Sequence, residues 1–367
     1  MYGVYVHVPW CRTRCPYCAF VIDTRRRPAD ESWRDRVLLD WERERSHFVG
    51  RPSTLSFGGG TPSRADPTAL AAVARAVDAT GEVSLEANPE DVNLEALREW
   101  RNLGVTRLSL GVQTFQPRIA PRLGRAHSSR QSLTALALTQ AAGFASTSVD
   151  LIFGLSEQRP EDLAADLQVV LDHGVPHVAL YGLSIEPGTR YEADKREPVD
   201  EDRWRALHDA AVETLEAGGL QRYEVSNFAR TGHRSLHNEH YWRGRRWAGL
   251  GPGAHGWRPS GIRVANTTDV EAWLAGRQAE EEQPSPEALF FELVWSTLRH
   301  VDGVDVERVG AVTGISASVP VEYERAGLVR WRGGFLVLEP AGFVLVDGIA
   351  TGIASASTKN RHGRGAV

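Results

Sequence analysis

Cysteine is scarce in this chain of 367 residues: there are three, all within the eight residues from Cys11 to Cys18. So local a set excludes a disulfide framework, because close neighbours bridge poorly and any pair would strand the third thiol. Lysine is nearly missing as well, with only Lys195 and Lys359, and methionine occurs once, at Met1. We read this as a genomic composition bias that leaves arginine to carry the positive charge. The arginines are scattered and the net charge is −5, which argues against a nucleic-acid-binding stripe. No uninterrupted run of about 18 apolar residues stands out, and the first residues enter a strand without a basic leader. The expectation is a cytoplasmic protein with reduced thiols and no transmembrane segment, in which peripheral membrane contact stays open.

What is present is ample apolar material, 42% of residues in 40.4 kDa. That is enough for a large core, and a main domain with a smaller companion is the natural arrangement.

Around the cysteines the sequence reads Cys-Arg-Thr-Arg-Cys-Pro-Tyr-Cys, directly after the apolar strand Val4 to Val8. Three thiols at these spacings can converge on one inorganic centre. Zinc is one possibility, with His7 as the fourth ligand. A cube of four irons held by three thiolates is the other, and it leaves one iron open to a small molecule.

Strand-like runs recur at residues 2–8, 54–57, 82–87, 106–112, 146–152 and 178–183. Amphipathic helical patterns separate them at 30–48, 66–77, 93–103, 128–142 and 159–173, and a sixth follows at 202–217. Asp66 before Pro67, Asn93 and Ser128 stand where N-caps are expected. Six alternating units predict an α/β fold, a partial (β/α)6 TIM-like barrel whose site lies at the C-terminal ends of the strands.

Polar residues gather at those ends. The stretch Ser56 to Ser63 reads SFGGGTPS; its Gly59, Gly60 and Thr61 suit either a tight turn or a ligand head group held by backbone. Glu86, Gln113, Arg125 and Asp150 each sit at or just beyond an apolar strand. They fit ligand contacts, or internal ion pairs such as Glu86 with Arg125.

On these residues the chain resembles the radical S-adenosylmethionine (SAM) superfamily, whose hallmark is Cys-x3-Cys-x2-Cys. The resemblance implies a [4Fe-4S] cluster on Cys11, Cys15 and Cys18, with SAM bound at the open iron. An electron from a low-potential donor then cleaves the sulfonium to a 5′-deoxyadenosyl radical. It further implies SAM contacts from Tyr5, Phe20, Gly59, Gly60, Thr61, Glu86, Gln113, Arg125 and Asp150. A longer set of motifs, from Tyr5-Val-His7 to Gly251-Pro-Gly253-Ala-His255, resembles the coproporphyrinogen-oxidase-like branch over about residues 2 to 260.

That branch contains oxygen-independent coproporphyrinogen III oxidases and haem chaperones. The oxidases carry a further cysteine two residues after the third, where this chain has Phe20. The chaperones carry His-Asn-x-x-Tyr-Trp, matched by His237 to Trp242. The resemblance therefore implies a haem chaperone that delivers haem to client proteins, with His237 the haem contact and His240 in reserve. Oxidative decarboxylation to protoporphyrinogen IX is the alternative, and whether SAM is cleaved is left open. Imidazole is a usual haem ligand, Tyr241 and Trp242 could stack on a porphyrin, and Arg243, Arg245 and Arg246 could meet propionates. Packing of a domain junction is the plainer reading of the same hexapeptide.

Two departures from the branch are visible. Ala19 stands where aspartate is common, and Ser156-Glu157-Gln158 replaces Pro-Gly-Gln, which is expected to reshape a loop near the SAM pocket.

The expected domains are a barrel over 1–230, a connecting region over 231–277, a small winged-helix-like α+β domain over 284–347, and a disordered tail over 348–367. Glu280 to Glu282 reads as a solvated linker, and the tail is rich in Gly, Ala and Ser. Oligomeric state is limited to monomer or homodimer.

Overall fold

The structure, a computed structural model, describes residues 1–25 and 30–363. Six parallel strands form the centre in chain order: β1 (Gly3–Val8), β2 (Thr54–Gly59), β3 (Glu82–Ala87), β4 (Arg107–Gln113), β5 (Ser146–Phe153) and β6 (His177–Gly182). Between them run α1 (Asp30–Arg45), α2 (Pro67–Val77), α3 (Leu94–Asn102), α4 (Ser129–Ala141) and α5 (Pro160–Asp172); the short α6 (Arg190–Ala193) and then α7 (Glu201–Ala217) follow β6. The anticipated caps are in place. Asp66 accepts from Thr68 N, Asn93 from Glu95 N and Ala96 N, and Ser128 forms a capping box with Gln131, each relieving orphan amides of a first turn.

The sheet extends beyond six strands at both edges. On one side β7 (Gln221–Arg222) forms the edge and pairs antiparallel with β8 (Asn227–Ala229), which pairs antiparallel with β6, so the barrel stays open there. On the other, after α8 (Leu236–Trp242), β9 (Trp247–Leu250) pairs parallel with β1. Then β10 (His255–Trp257) and β11 (Arg263–Ala265) continue the sheet antiparallel and α9 (Val270–Leu274) packs on α1; β12 (Glu280–Glu282) closes the edge. The region expected to connect domains therefore belongs to the barrel sheet, and Glu280 to Glu282 is an edge strand rather than a free linker. Its charged side chains suit an edge, since they discourage pairing with another chain.

Charge buried in α1 holds this extension. Asp40, fully buried, accepts from Trp273 Nε1 at 2.9 Å and Gly251 N at 3.2 Å. Glu44 takes both ends of the Arg258 guanidinium at 2.8 and 2.9 Å. Buried carboxylates are tolerated because each is paired and hydrogen-bonded.

The C-terminal domain is a winged-helix-like unit of α10 (Pro286–Leu298), β13 (Val304–Asp305), α11 (Val306–Thr313), α12 (Val321–Arg325), β14 (Val329–Arg332), β15 (Phe335–Leu338) and α13 (Val346–Gly363). Its hairpin turns through Gly333 and Gly334, both at positive φ, as a two-residue turn requires. The tail from 348 is not disordered as expected: α13 packs on α10 and buries Ile349, Ala350 and Ile353 in this domain's core. Residues 364–367 lie outside the described residues. By length and composition alone Pro340–Thr358 is apolar enough to span a membrane. Here its apolar side completes a core.

Candidate functional site

The C-terminal ends of β1 to β6 surround a cavity of about 550 Å³, within the range of small-molecule sites. Cys11, Cys15, Cys18, Phe20, Gly59, Gly60, Thr61, Glu86, Gln113, Arg125 and Asp150 all line it. Residues spread over 140 positions of sequence are thus brought to one face of the sheet, as parallel strands dictate.

The three cysteines are half-buried free thiols on the loop after β1. Cys11 Sγ lies 3.3 Å from Thr61 Oγ1, and Arg125 donates to Cys15 Sγ at 3.4 Å. Burial pushes the Cys11 and Cys18 thiols up, with Arg125 acting against it; binding a metal would displace their protons. His7 does not serve as a zinc ligand. Its ring nitrogens engage Tyr5 Oη at 3.1 Å and Val21 O at 2.7 Å, and burial lowers it to about 4. Among the described residues, no three His, Cys, Asp or Glu side chains close on a single metal ion.

Close packing shapes the glycine-rich edge. Gly59 has φ +107, and a Cβ there would fall 2.4 Å from the His7 ring; one on Gly60 would meet the Pro9 backbone at 2.7 Å. Side chains are excluded, so backbone groups face the cavity. Gln113 ends β4 at φ +67, beside a register irregularity against β5. A non-glycine residue in that conformation is strained, and such strain collects at functional sites.

The suggested Glu86–Arg125 ion pair does not form. Glu86 accepts from Gly59 N at 3.2 Å, whereas Arg125 donates to Asn88 Oδ1 at 2.5 Å and Gly111 O at 2.8 Å. Asp150 accepts from Ser109 Oγ at 2.8 Å. Both carboxyls sit deep in the barrel yet open to the cavity. Burial first, then the charge of Asp150, raises Glu86 above the usual carboxylate range, and burial raises Asp150. A cationic ligand would relieve both.

Two predicted residues lie elsewhere. Tyr5 does not itself line the cavity; its ring stands beside Gly58 on the same side as the Glu86 carboxyl, and its hydroxyl reaches His7. His237 sits at the opposite, N-terminal end of the strands, beside Gly3 and Thr54. Both of its nitrogens are engaged, Nδ1 with Thr54 Oγ1 and Nε2 with Tyr241 Oη, each at 2.8 Å. Its ring is buried and lowered to about 3. In this state His237 offers no nitrogen to a ligand. His240 is also buried, with Nε2 on Ser53 Oγ at 2.9 Å and, among the described residues, no partner for Nδ1. The hexapeptide forms α8, which Glu82 anchors by accepting from His237 N at 3.0 Å and Leu236 N at 3.2 Å.

Asn88, Tyr17 and Tyr181 line the cavity without having been singled out. Asn88 follows Glu86 by two, and Tyr181 stands near the end of β6; position at a strand end was the available signal. Ser156, Glu157 and Gln158 do not line it. Gln158 instead closes its own loop, accepting from Gly154 N at 2.9 Å.

A cluster and SAM fit these residues. Three thiols face a cavity whose two acids form no ion pair among the described residues, and the buried Arg125 Nε has no hydrogen-bond acceptor among them. Cys11, Cys15 and Cys18 would hold the cluster, with the Gly59 to Thr61 backbone, Glu86 and Asp150 around the ligand. When bound, the pair would supply one-electron reductive chemistry.

Residues 5–170 match the radical SAM superfamily. Coproporphyrinogen III oxidase (HemN) from Escherichia coli shares the fold, with a TM-score of 0.79 over 95% of this chain and 89% of that one, at 20% identity. The chain is similar to heme chaperone HemW from Mycobacterium tuberculosis (strain H37Rv), 34% identical over 95% of this chain and 93% of the relative. It is likewise similar to heme chaperone HemW from Escherichia coli K12, 33% identical over 77% and 78%. Fold and site thus define a radical SAM protein. Within that superfamily the chain belongs to the HemW family.

Proposed function

We propose that this protein is a haem chaperone: it holds a [4Fe-4S] cluster on Cys11, Cys15 and Cys18, binds SAM in the barrel cavity, and passes haem to client proteins. The observation that carries the reading is the match to heme chaperone HemW over 95% of the chain. Phe20 adds to it, since it lines the cavity mouth, 66% exposed, where the oxidase reading calls for a thiol. Arg125 contributes by donating to Cys15 and fixing Asn88, which draws the β4 and cluster loops together. Glu86 and Asp150 orient a cationic ligand against the glycine backbone. A low-potential donor would supply the electron if SAM is cleaved.

His237 serves as a haem contact only after leaving Thr54 and Tyr241, so haem binding at that residue entails a shift of α8. Titration of haem into the anaerobically reconstituted protein is expected to give a Soret shift. A wild-type protein that gives none, or that converts coproporphyrinogen III, overturns the chaperone reading.

A further inference from the structure

Between the α8–β9 turn and the C-terminal domain lies a cleft of about 30 Å³ lined by Arg243, Arg246 and Arg308 over Leu293, Val309 and Val312. That volume suits one small group and excludes a macrocycle.

Its charges are unbalanced. Arg243 is answered by Glu239 at 3.2 Å and Asp302 at 2.9 Å. Asp305, the one acid in the lining, is turned to its own helix and accepts from Arg308 N at 3.0 Å. Among the described residues Arg308 reaches carbonyl oxygens, of Arg243 at 3.5 Å and Gly244 at 3.3 Å. The Arg246 guanidinium lies over the Trp257 ring, 3.3 Å from its centroid. Among the described residues no carboxylate comes within ion-pair distance of Arg246, Arg308 or the neighbouring Arg245.

Arg246 is pulled down to about 10, first by burial and then by the like charges of Arg263 and Arg308. Arg263 is itself paired with Glu292 and Arg243 with Glu239 and Asp302. That leaves Arg246 and Arg308 as the two guanidiniums of the cleft without a carboxylate among the described residues, and an anion between them gains what they lack. The turn itself is constrained. Gly244 has φ +56, and a Cβ there would fall 2.9 Å from Leu293 Cδ2, so the chain passes close to α10 with an arginine on either side.

We propose that this cleft binds one oxyanion, a carboxylate or a phosphate, between Arg246 and Arg308. Planar guanidiniums match the paired oxygens of either group. If the protein carries haem, a propionate is the natural source, and that identification rests on the proposed function. The oxyanion site rests on the cleft alone.

The experiment has two arms, each run on the full chain for wild type, Arg246→Gln and Arg308→Gln. In the first, inorganic phosphate is added at fixed ionic strength and the unfolding midpoint is followed; wild type is expected to rise and both variants to rise less or not at all. Arg308 is surface-exposed, so Arg308→Gln keeps the test valid if Arg246→Gln folds poorly. Equal responses in wild type and Arg308→Gln, or no response in wild type, overturn the proposal. In the second arm, haem and haem dimethyl ester, whose propionates are blocked, are titrated into the same proteins. Wild type should bind haem on the order of tenfold tighter than the ester, and Arg308→Gln should lose that preference. A phosphate response without a haem preference supports the site and assigns it to free phosphate. A phosphate response in a protein that binds no haem removes the chaperone reading and leaves the anion site standing.

Discussion

His237 Nε2 and Tyr241 Oη share a 2.8 Å hydrogen bond at the N-terminal end of the barrel strands, and Thr54 Oγ1 takes the other ring nitrogen at the same distance. One buried histidine thus joins α8 to β2. His237→Ala is expected to cost about 2–4 kcal/mol, since it orphans two buried hydroxyls and leaves a cavity. A weakened Soret shift in that variant would therefore mix folding with ligation. Tyr241→Phe separates them, because it keeps the ring and frees Nε2. If His237 ligates iron, haem affinity in folded Tyr241→Phe rises; unchanged or lower affinity removes His237 as the ligand.

Cys15 and Gly124 are linked through Pro16. Gly124 has φ +64, and a Cβ there would lie 2.6 Å from Pro16 Cδ. Cys15→Ala should abolish a stable cluster after anaerobic reconstitution. Gly124→Ala should lower bound iron as well, with far-UV circular dichroism unchanged, because it displaces the cluster loop rather than the sheet. Four irons per chain in either variant would contradict the assignment.

Glu224 is buried at the junction of the two domains, hydrogen-bonded to Asn227 and bridged in backbone to His300. Burial raises its carboxyl from 4.5 to about 7. A raised acid favours the folded state only while protonated. Its contribution is complete below about pH 4.5, declines as pH rises to about 7, and is gone above. Glu224→Gln should then match wild type near pH 4.5 and exceed it by about 3 kcal/mol at pH 8, on the scale of 1.36 kcal/mol per pKa unit. Urea unfolding at the two pH values measures this, and a gain of equal size at both would show that ionisation is not its source.

Truncation after Asp347 removes Ile349, Ala350 and Ile353 from the C-terminal core. At about 1.5–3 kcal/mol for each buried large apolar side chain, the loss exceeds about 3 kcal/mol. Limited proteolysis should cut the shortened protein within residues 284–347 while the barrel resists. A truncated chain as resistant as the full one would mean that α13 adds nothing to the domain.

Much of the fold was legible because it rests on local signals. Alternating strands and helices, N-cap residues and the Gly333-Gly334 turn each act over a few residues, so pattern and element coincide. The tail misled because Gly, Ala and Ser suggest low complexity. In α13 small residues permit close packing: a Cβ on Gly352 would fall 2.0 Å from Tyr323 Oη. The short strands β9 to β12 carry too few residues to show a period, and their pairing is decided by neighbours distant in sequence.

By itself the sequence determined the ligand chemistry: three thiols in eight residues cannot be rearranged by folding, and polar residues at the ends of apolar strands must converge once those strands lie parallel. Tertiary structure alone decided the rest. It set Arg125 on Cys15 and Asn88 instead of Glu86, and it buried His237 at the far end of the barrel. Partner choice for a buried polar group depends on which group of distant sequence reaches it first at hydrogen-bond distance, and no local pattern encodes that.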